Sequence, residues 1–301
     1  DIGYRATGYL LLWAEDVWAR QLEAVELQHA HGVPVEVLDA EGAQRFVPFT
    51  TDGIAGATYG SADGRIDPHI ATGAYLQLAR ALGARVHLSS PVIAIRTTPD
   101  DTWQVETATR TVHAGHVVNA SGGWSAEVAA LVGLDVPVVH SRRNVYATAA
   151  GTVDRIIPMT CDMASGVYLR SEGDRLLFGG PQRPGDPDGY DVRVDWDWLE
   201  GLLTTAGDRF PWLLEMPLDS RSCWAGTYEN TPDAKPVLGP DATLPGWVHA
   251  SGFSGHGVMQ APEVGRLVAE QVTTGAITSL DVSSMGLQRF ETTTAALDMV
   301  I

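Results

Sequence analysis

Two segments of this chain share one layout, and that layout limits the folds open to it. The first is His116-Val117-Val118-Asn119-Ala120-Ser121-Gly122-Gly123-Trp124-Ser125, running on into residues 126–131. The second is Trp247-Val248-His249-Ala250-Ser251-Gly252-Phe253-Ser254-Gly255-His256-Gly257, followed by Val264, Leu267, Val268 and Val272 at helical spacing. Each reads as a strand, a small-residue turn and a helix start. Strands that hand over to helices through glycine belong to an α/β architecture. Glycine lets backbone approach a ligand closely, and a helix N-terminus presents unpaired N–H groups with a partial positive charge. One such turn is an ordinary connection. A second one, with Gly252, Gly255 and Gly257 around His256, points to a cofactor carrying anionic or carbonyl oxygens.

Composition narrows the function classes. The chain has 301 residues, enough for about two domains and a real core. Its net charge is −17, and Lys235 is its single lysine. That balance argues against a nucleic-acid backbone as partner, which calls for clustered cations. No apolar run approaches the ~20 residues of a membrane helix. Cys161 and Cys223 are too few for a secreted disulfide framework. The first residue is Asp1 rather than Met, and no signal-like segment follows, so a cytoplasmic setting is expected. His29 with His31, and His113 with His116, have no third ligand at metal-site spacing, so no metal is expected. No Gly-x-Ser-x-Gly elbow is present, against an α/β-hydrolase.

Along the chain, residues 7–13 read as a buried strand. A helix follows, with Asp16 as its cap and Gly32 closing it. Residues 35–38 read as a short strand. Asp67-Pro68 supplies a cap and a proline at the first helical position. Ile70, Ala74, Leu78 and Leu82 then share one face, with Gly83 as the C-cap. Residues 85–88 read as a strand, the second half of a βαβ unit. Residues 92–95, 103–107 and 109–114 form a meander, because their connections are too short for helices. Strands are expected at 137–140, 144–149, 167–170, 175–178 and 220–228. A Pro/Gly/Asp loop at 181–191 is surface-like and mobile by composition, and a helix spans 196–205. The last helix places Pro262 in its first turn and Gly275 beyond its end.

These motifs carry a resemblance to a family. Gly252-Phe253-Ser254-Gly255-His256-Gly257, with Ala261-Pro262 and Gly265, resembles the C-terminal flavin loop of D-amino-acid-oxidase-like FAD-dependent oxidoreductases. Four more segments agree in order. They are Asp63-Gly64-Arg65-Ile66-Asp67-Pro68, then Val117 to Ser125, then Gly166-Val167-Tyr168-Leu169-Arg170. The last is Trp224-Ala225-Gly226-Thr227-Tyr228-Glu229-Asn230-Thr231-Pro232-Asp233 with Pro236-Val237-Leu238-Gly239. That family includes sarcosine and glycine oxidases and dimethylglycine and proline dehydrogenases. One element of the family pattern is missing: no G-x-G-x-x-G turn for the FAD pyrophosphate occurs in the chain. By resemblance the chain starts after that unit, so FAD is expected to be held weakly or not at all by this chain alone.

The resemblance implies a mixed α/β fold. An incomplete Rossmann-like FAD domain (63–135 and 222–275) would join a substrate domain with a largely antiparallel sheet (1–62 and 136–221), and 276–301 would be a C-terminal tail. It implies removal of a hydride from the carbon beside an amine nitrogen of a small amine or amino acid, delivered to flavin N5, and hydrolysis of the imine. FAD would be touched by Val92, Ala120, Ser121, Gly122, Trp124, Gly226, Gly252, Phe253, Ser254, Gly255, His256, Gly257 and Val258. The helix start after Gly257 would stabilise charge on the reduced pyrimidine ring. Tyr168 and Arg170 lie two apart on one strand face and form a natural carboxylate clamp. Several oxidases of the family carry lysine where this chain has Met259, so electrons are expected to go to a partner protein or quinone unless a charged His256 substitutes. Gly226 stands where monomeric sarcosine oxidases carry their flavin-linking cysteine, so FAD is expected to be non-covalent and Cys223 a small buried hydrophobe. Two alternatives stand beside this reading: a catalytically silent assembly scaffold, and oxidation of a 2-hydroxy acid or glycerol phosphate.

Overall fold

The computed structural model describes residues 2–186 and 189–291. β1 (Tyr9–Trp13) turns Leu10 and Leu12 fully inward. In α1 (Glu15–Ala30) the N-cap is Ala14, which makes no side-chain hydrogen bond. Asp16 lies inside the first turn and complements the helix's positive end instead of capping it. β2 (Glu36–Leu38), the Asp39-capped α2 (Ala40–Ala43) and β3 (Gly56–Gly60) follow. β3 is a short, glycine-bounded strand without a period of its own to announce it.

α3 (Pro68–Ala81) starts as expected: the Asp67 carboxylate accepts the N–H groups of His69 and Ile70, and Pro68 leads the helix. Such a cap contributes about 1 kcal/mol. Its apolar face behaves differently. Only Ala71 is buried, while Ile70, Leu78 and Leu82 are exposed. Residues 85–88 form no strand, because no described strand lies beside them and an isolated extended segment has nothing to bond. The meander is present as β4 (Val92–Thr97), β5 (Trp103–Thr107) and β6 (Thr111–Ala114), all antiparallel. β7 (Val117–Asn119) leaves it for another sheet and leads to α4 (Ser125–Ala130).

The two strands expected at 137–149 are one nine-residue strand, β8 (Val139–Ala147). β9 (Met159–Asp162), β10 (Tyr168–Glu172), β11 (Arg175–Gly179), α5 (Trp196–Arg209) and β12 (Trp224–Asn230) come next. The chain closes with β13 (Val237–Pro240), β14 (Trp247–Ser251) and α6 (Gly257–Thr274). α6 begins at Gly257, so Pro262 lies within the helix rather than in its first turn, while Gly275 ends it at φ +86°.

Eight strands form one sheet in the order β12-β8-β11-β10-β9-β1-β3-β2, antiparallel except for β1 beside β9. Its core gathers Leu10, Leu12, Tyr146, Leu169, Phe178 and Leu202, each burial contributing about 1.5–3 kcal/mol. Strand pairing in this sheet includes β12 and so runs past residue 221. A three-stranded sheet, β13-β14-β7, sets β7 parallel to β14. Trp247 of that sheet packs on Trp103 of the meander, ring centroids 5.6 Å apart. The fold is therefore the mixed α/β, mostly antiparallel architecture expected. No described helix is long and apolar enough to cross a membrane.

Described residues of the loop after β11 are tied to β8. Arg142, only 14% exposed in its side chain, donates to Asp186 at 2.6 and 3.0 Å and reaches Asp191 and Asp195 at 3.3 Å. Asp195 also caps α5.

Candidate functional site

Because β7 and β14 are parallel neighbours, with Asn119 beside His249, both glycine turns leave the same end of one sheet. Ligands gather at the carboxyl ends of such strands. In the first turn Asn119 is buried. Its amide donates to the Ser125 carbonyl at 2.9 Å and its carbonyl oxygen accepts the Ser121 hydroxyl at 2.5 Å. Gly122 takes φ +61°, which suits glycine. In the second turn Gly252 takes φ +74° and Ser254 φ +53°, a left-handed conformation that a serine adopts at some strain. His256 is the N-cap of α6 without a side-chain hydrogen bond, so its own side chain does not cap the helix's first N–H groups. Val258 and Met259 are exposed at that end. The hydroxyls of Ser125, Ser251 and Ser254 are buried and have no partner among the described residues. Close backbone, an uncapped helix start and orphaned hydroxyls fit a flat heteroaromatic group edged with carbonyl and N–H groups, as a flavin is.

The eight-stranded sheet supplies the facing wall. A Cβ at Gly255 would lie 2.8 Å from the Tyr228 ring, so Tyr228 touches the second turn. Tyr168 lies across Gly179, its register partner on β11. Burial pushes the Tyr9 phenol up to about 12, as it does the Cys161 thiol, and it also raises Tyr168 and Tyr228. These groups are neutral near pH 7. Two guanidinium charges reach them: Arg170, which acts on Tyr9, and Arg143, opposite Gly226 and 5.0 Å from the Tyr228 ring centroid. Arg143 Nη1 donates to Ser141 Oγ at 2.7 Å and to the Arg142 carbonyl at 3.3 Å. Burial lowers its pKa, and no carboxylate pairs with it among the described residues. The Arg143 charge lies close enough to Tyr168 to lower its phenol pKa against the effect of burial.

The expected site residues fall into groups. Ala120, Ser121, Gly122 and Trp124 line the first turn, and residues 252–258 the second. Gly226 faces Arg143 with open space at its Cβ position. Val92 opens β4, in the meander. Arg170 acts on Tyr9 through its charge, and its guanidinium pairs with Glu172, which also takes Arg65. Cys223 is half-buried, with its sulfur accepting the Ala147 N–H at 3.3 Å and donating to the Asp219 carbonyl at 3.4 Å. Sequence reasoning missed Arg143, Tyr9 and Tyr228. Consecutive arginines at 142 and 143 in a β-rich stretch were the available signal, since alternation sends them to opposite faces. No group of three or more His, Cys, Asp or Glu residues that could hold a metal stands together among the described residues.

Residues 1–271 match the DAO family, FAD dependent oxidoreductase. Mouse mitochondrial dimethylglycine dehydrogenase is 29% identical over 265 residues, covering 81% of this chain but only 30% of that relative. The Bos taurus FAD-dependent oxidoreductase domain-containing protein 1 is 30% identical, covering 96% of this chain and 67% of that protein. Among solved structures, L-proline dehydrogenase from P. horikoshii superposes with a TM-score of 0.84 at 29% identity, covering 96% of this chain and 78% of that one.

Proposed function

We propose, since this chain belongs to the DAO family of FAD-dependent oxidoreductases, that it oxidises the C–N bond of a small amino acid or N-methylated amino acid. The observation that carries this reading is Arg143, a half-buried cation without a carboxylate partner among the described residues, set among neutral tyrosines beside the second glycine turn. A buried charge is costly unless paired, and a substrate carboxylate supplies the pair. Arg143 thus takes the anchoring role that sequence spacing suggested for Arg170. The phenols of Tyr168 and Tyr228, kept protonated by burial, are available to donate to the same carboxylate. This orientation presents the amine end of the substrate toward the turn at Gly255.

The two turns would hold FAD through the backbone of Gly122, Gly252 and Gly255 and the first N–H groups of α6. Bound FAD supplies the two-electron acceptor for C–N oxidation. Its attachment is non-covalent on this reading, because Gly226 offers no nucleophile and Cys223 is turned to Asp219. Met259 in place of a cation favours a dehydrogenase that passes electrons to a protein or quinone over an oxidase.

The test is a side-by-side assay of the FAD-supplied protein with sarcosine, dimethylglycine, glycine, proline and 2-hydroxyglutarate, using an artificial electron acceptor and oxygen in turn. Turnover of an amino-acid substrate with the acceptor is the expected result. Turnover of the hydroxy acid alone would replace this reading with alcohol oxidation. A colourless protein that FAD cannot reconstitute would favour the scaffold reading.

A further inference from the structure

Successive residues of β12 point to opposite faces. Tyr228 faces Arg143 and the second turn's Gly255. Glu229 turns the other way, directly opposite His140 of β8. Residues paired in that manner share a face, with Cβ atoms about 5 Å apart. The Glu229 carboxylate accepts the N–H of Gly252 at 3.2 Å and is also bonded by the Phe253 N–H. The same oxygen stands 3.7 Å from where a Cβ at Gly122 would be. His140 is 7% exposed, and its ring fills the space a side chain at Gly123 would need. Trp124 meets that ring edge-on at 5.2 Å, and Nδ1 lies 3.1 Å from Thr227 Oγ1.

The geometry points to Glu229 and His140 as one positioning pair, which fixes the two glycine turns against each other and against the substrate-facing strand. Glu229 holds the second turn and abuts the first; His140 holds the first. A generic packing role does not call for this chemistry. No arginine or lysine pairs with Glu229 among the described residues, and even a half-buried carboxylate costs more than an amide unless its charge is used. Here its acceptor strength serves two backbone N–H groups of a turn that holds Ser254 at positive φ. Through β12, any shift of Tyr228 on substrate contact is passed to both turns.

The cofactor consequence rests on the reading of the turns as an FAD cradle; the mechanical coupling does not. The experiment separates the two. Amide hydrogen exchange is followed by mass spectrometry in the chain without FAD, in the peptides covering 119–126 and 251–258, for wild type, Glu229→Ala, Glu229→Gln and His140→Ala. Loss of charge-assisted hydrogen bonds of this kind predicts roughly tenfold or faster exchange. The expected result is acceleration in both peptides for Glu229→Ala, a smaller acceleration in both for Glu229→Gln, which keeps an acceptor oxygen but no charge, and acceleration of the first peptide for His140→Ala. Acceleration confined to 251–258 in Glu229→Ala, or Glu229→Gln as fast as Glu229→Ala in only one peptide, overturns the coupling, and Glu229→Gln indistinguishable from wild type overturns the role of the charge. FAD titration by flavin fluorescence follows on the same proteins. If wild type binds FAD, Glu229→Ala is expected to weaken it about tenfold, and unchanged binding overturns the cofactor consequence. If wild type binds none, the FAD reading fails while the exchange result still decides the coupling.

Discussion

Arg143→Met is the sharpest perturbation available, because it moves stability and catalysis in opposite directions. In the folded chain the guanidinium makes two hydrogen bonds, both from Nη1 and both to uncharged oxygens. Nε and Nη2 are left for a ligand. Two charge-assisted hydrogen bonds to a carboxylate contribute about 1.5–3 kcal/mol each. Since the guanidinium is only half-buried, about 3 kcal/mol in all is a reasonable figure. That corresponds to a fall in kcat/KM of roughly 100-fold or more for a carboxylate substrate. Removing the cation also removes its desolvation cost, and methionine keeps much of the side-chain volume. The midpoint of urea unfolding should therefore hold or rise. Arg143→Lys keeps the charge but not the fork, and should recover only part of the loss. The assay is steady-state turnover on an amino acid and on its amide, together with urea melts. Equal losses on both substrates, or a variant less stable by more than about 2 kcal/mol, would show that Arg143 braces the sheet and does not read a carboxylate.

Other outcomes follow from neighbouring geometry. His249 donates from Nε2 to Asp241 at 2.9 Å in a buried pair, and burial holds its pKa below the ordinary value. The unfolded chain then takes up the proton first, so stability is full above about pH 6.5 and is lost as pH falls through the folded pKa; urea melts from pH 7.5 to 5 should show this, and His249→Gln should flatten it. Gly255→Ala sets a Cβ 2.8 Å from the Tyr228 ring, an overpacking worth about 1–3 kcal/mol, and should weaken FAD binding while leaving the far-UV spectrum unchanged. Met259→Lys places a cation at the exposed start of α6 and should raise oxygen use relative to artificial acceptor by about tenfold; an unchanged ratio in an oxygen electrode would remove Met259 from the account of electron transfer.

Much of this site is legible locally. The Gly252–Gly257 run, the Asp67-Pro68 helix start and the Gly275 stop are backbone requirements that particular side chains meet, so they can be read without knowing the partners. The same holds for the meander, whose connections are too short for any other pairing. The sequence by itself therefore determined the two glycine turns, and the mixed α/β class with its family. What it left open depends on residues far apart in the chain. Residues 85–88 have extended-strand chemistry but no neighbour to bond, and α3 presents an apolar face that the described residues do not cover. Arg170 and Arg143 both sit on strands of the larger sheet. Glu172 lies two residues along from Arg170 and neutralises it, whereas Arg143 faces Gly226 and tyrosines and keeps its charge available. Glu172 is legible beside Arg170 in the sequence, whereas only the tertiary structure decided that no carboxylate pairs with Arg143 among the described residues. It also set β7 beside β14, so that two separate glycine turns leave the same end of one sheet. The reason is physical: a backbone conformation is chosen by its own residue, but a charge is defined by whatever the fold brings next to it.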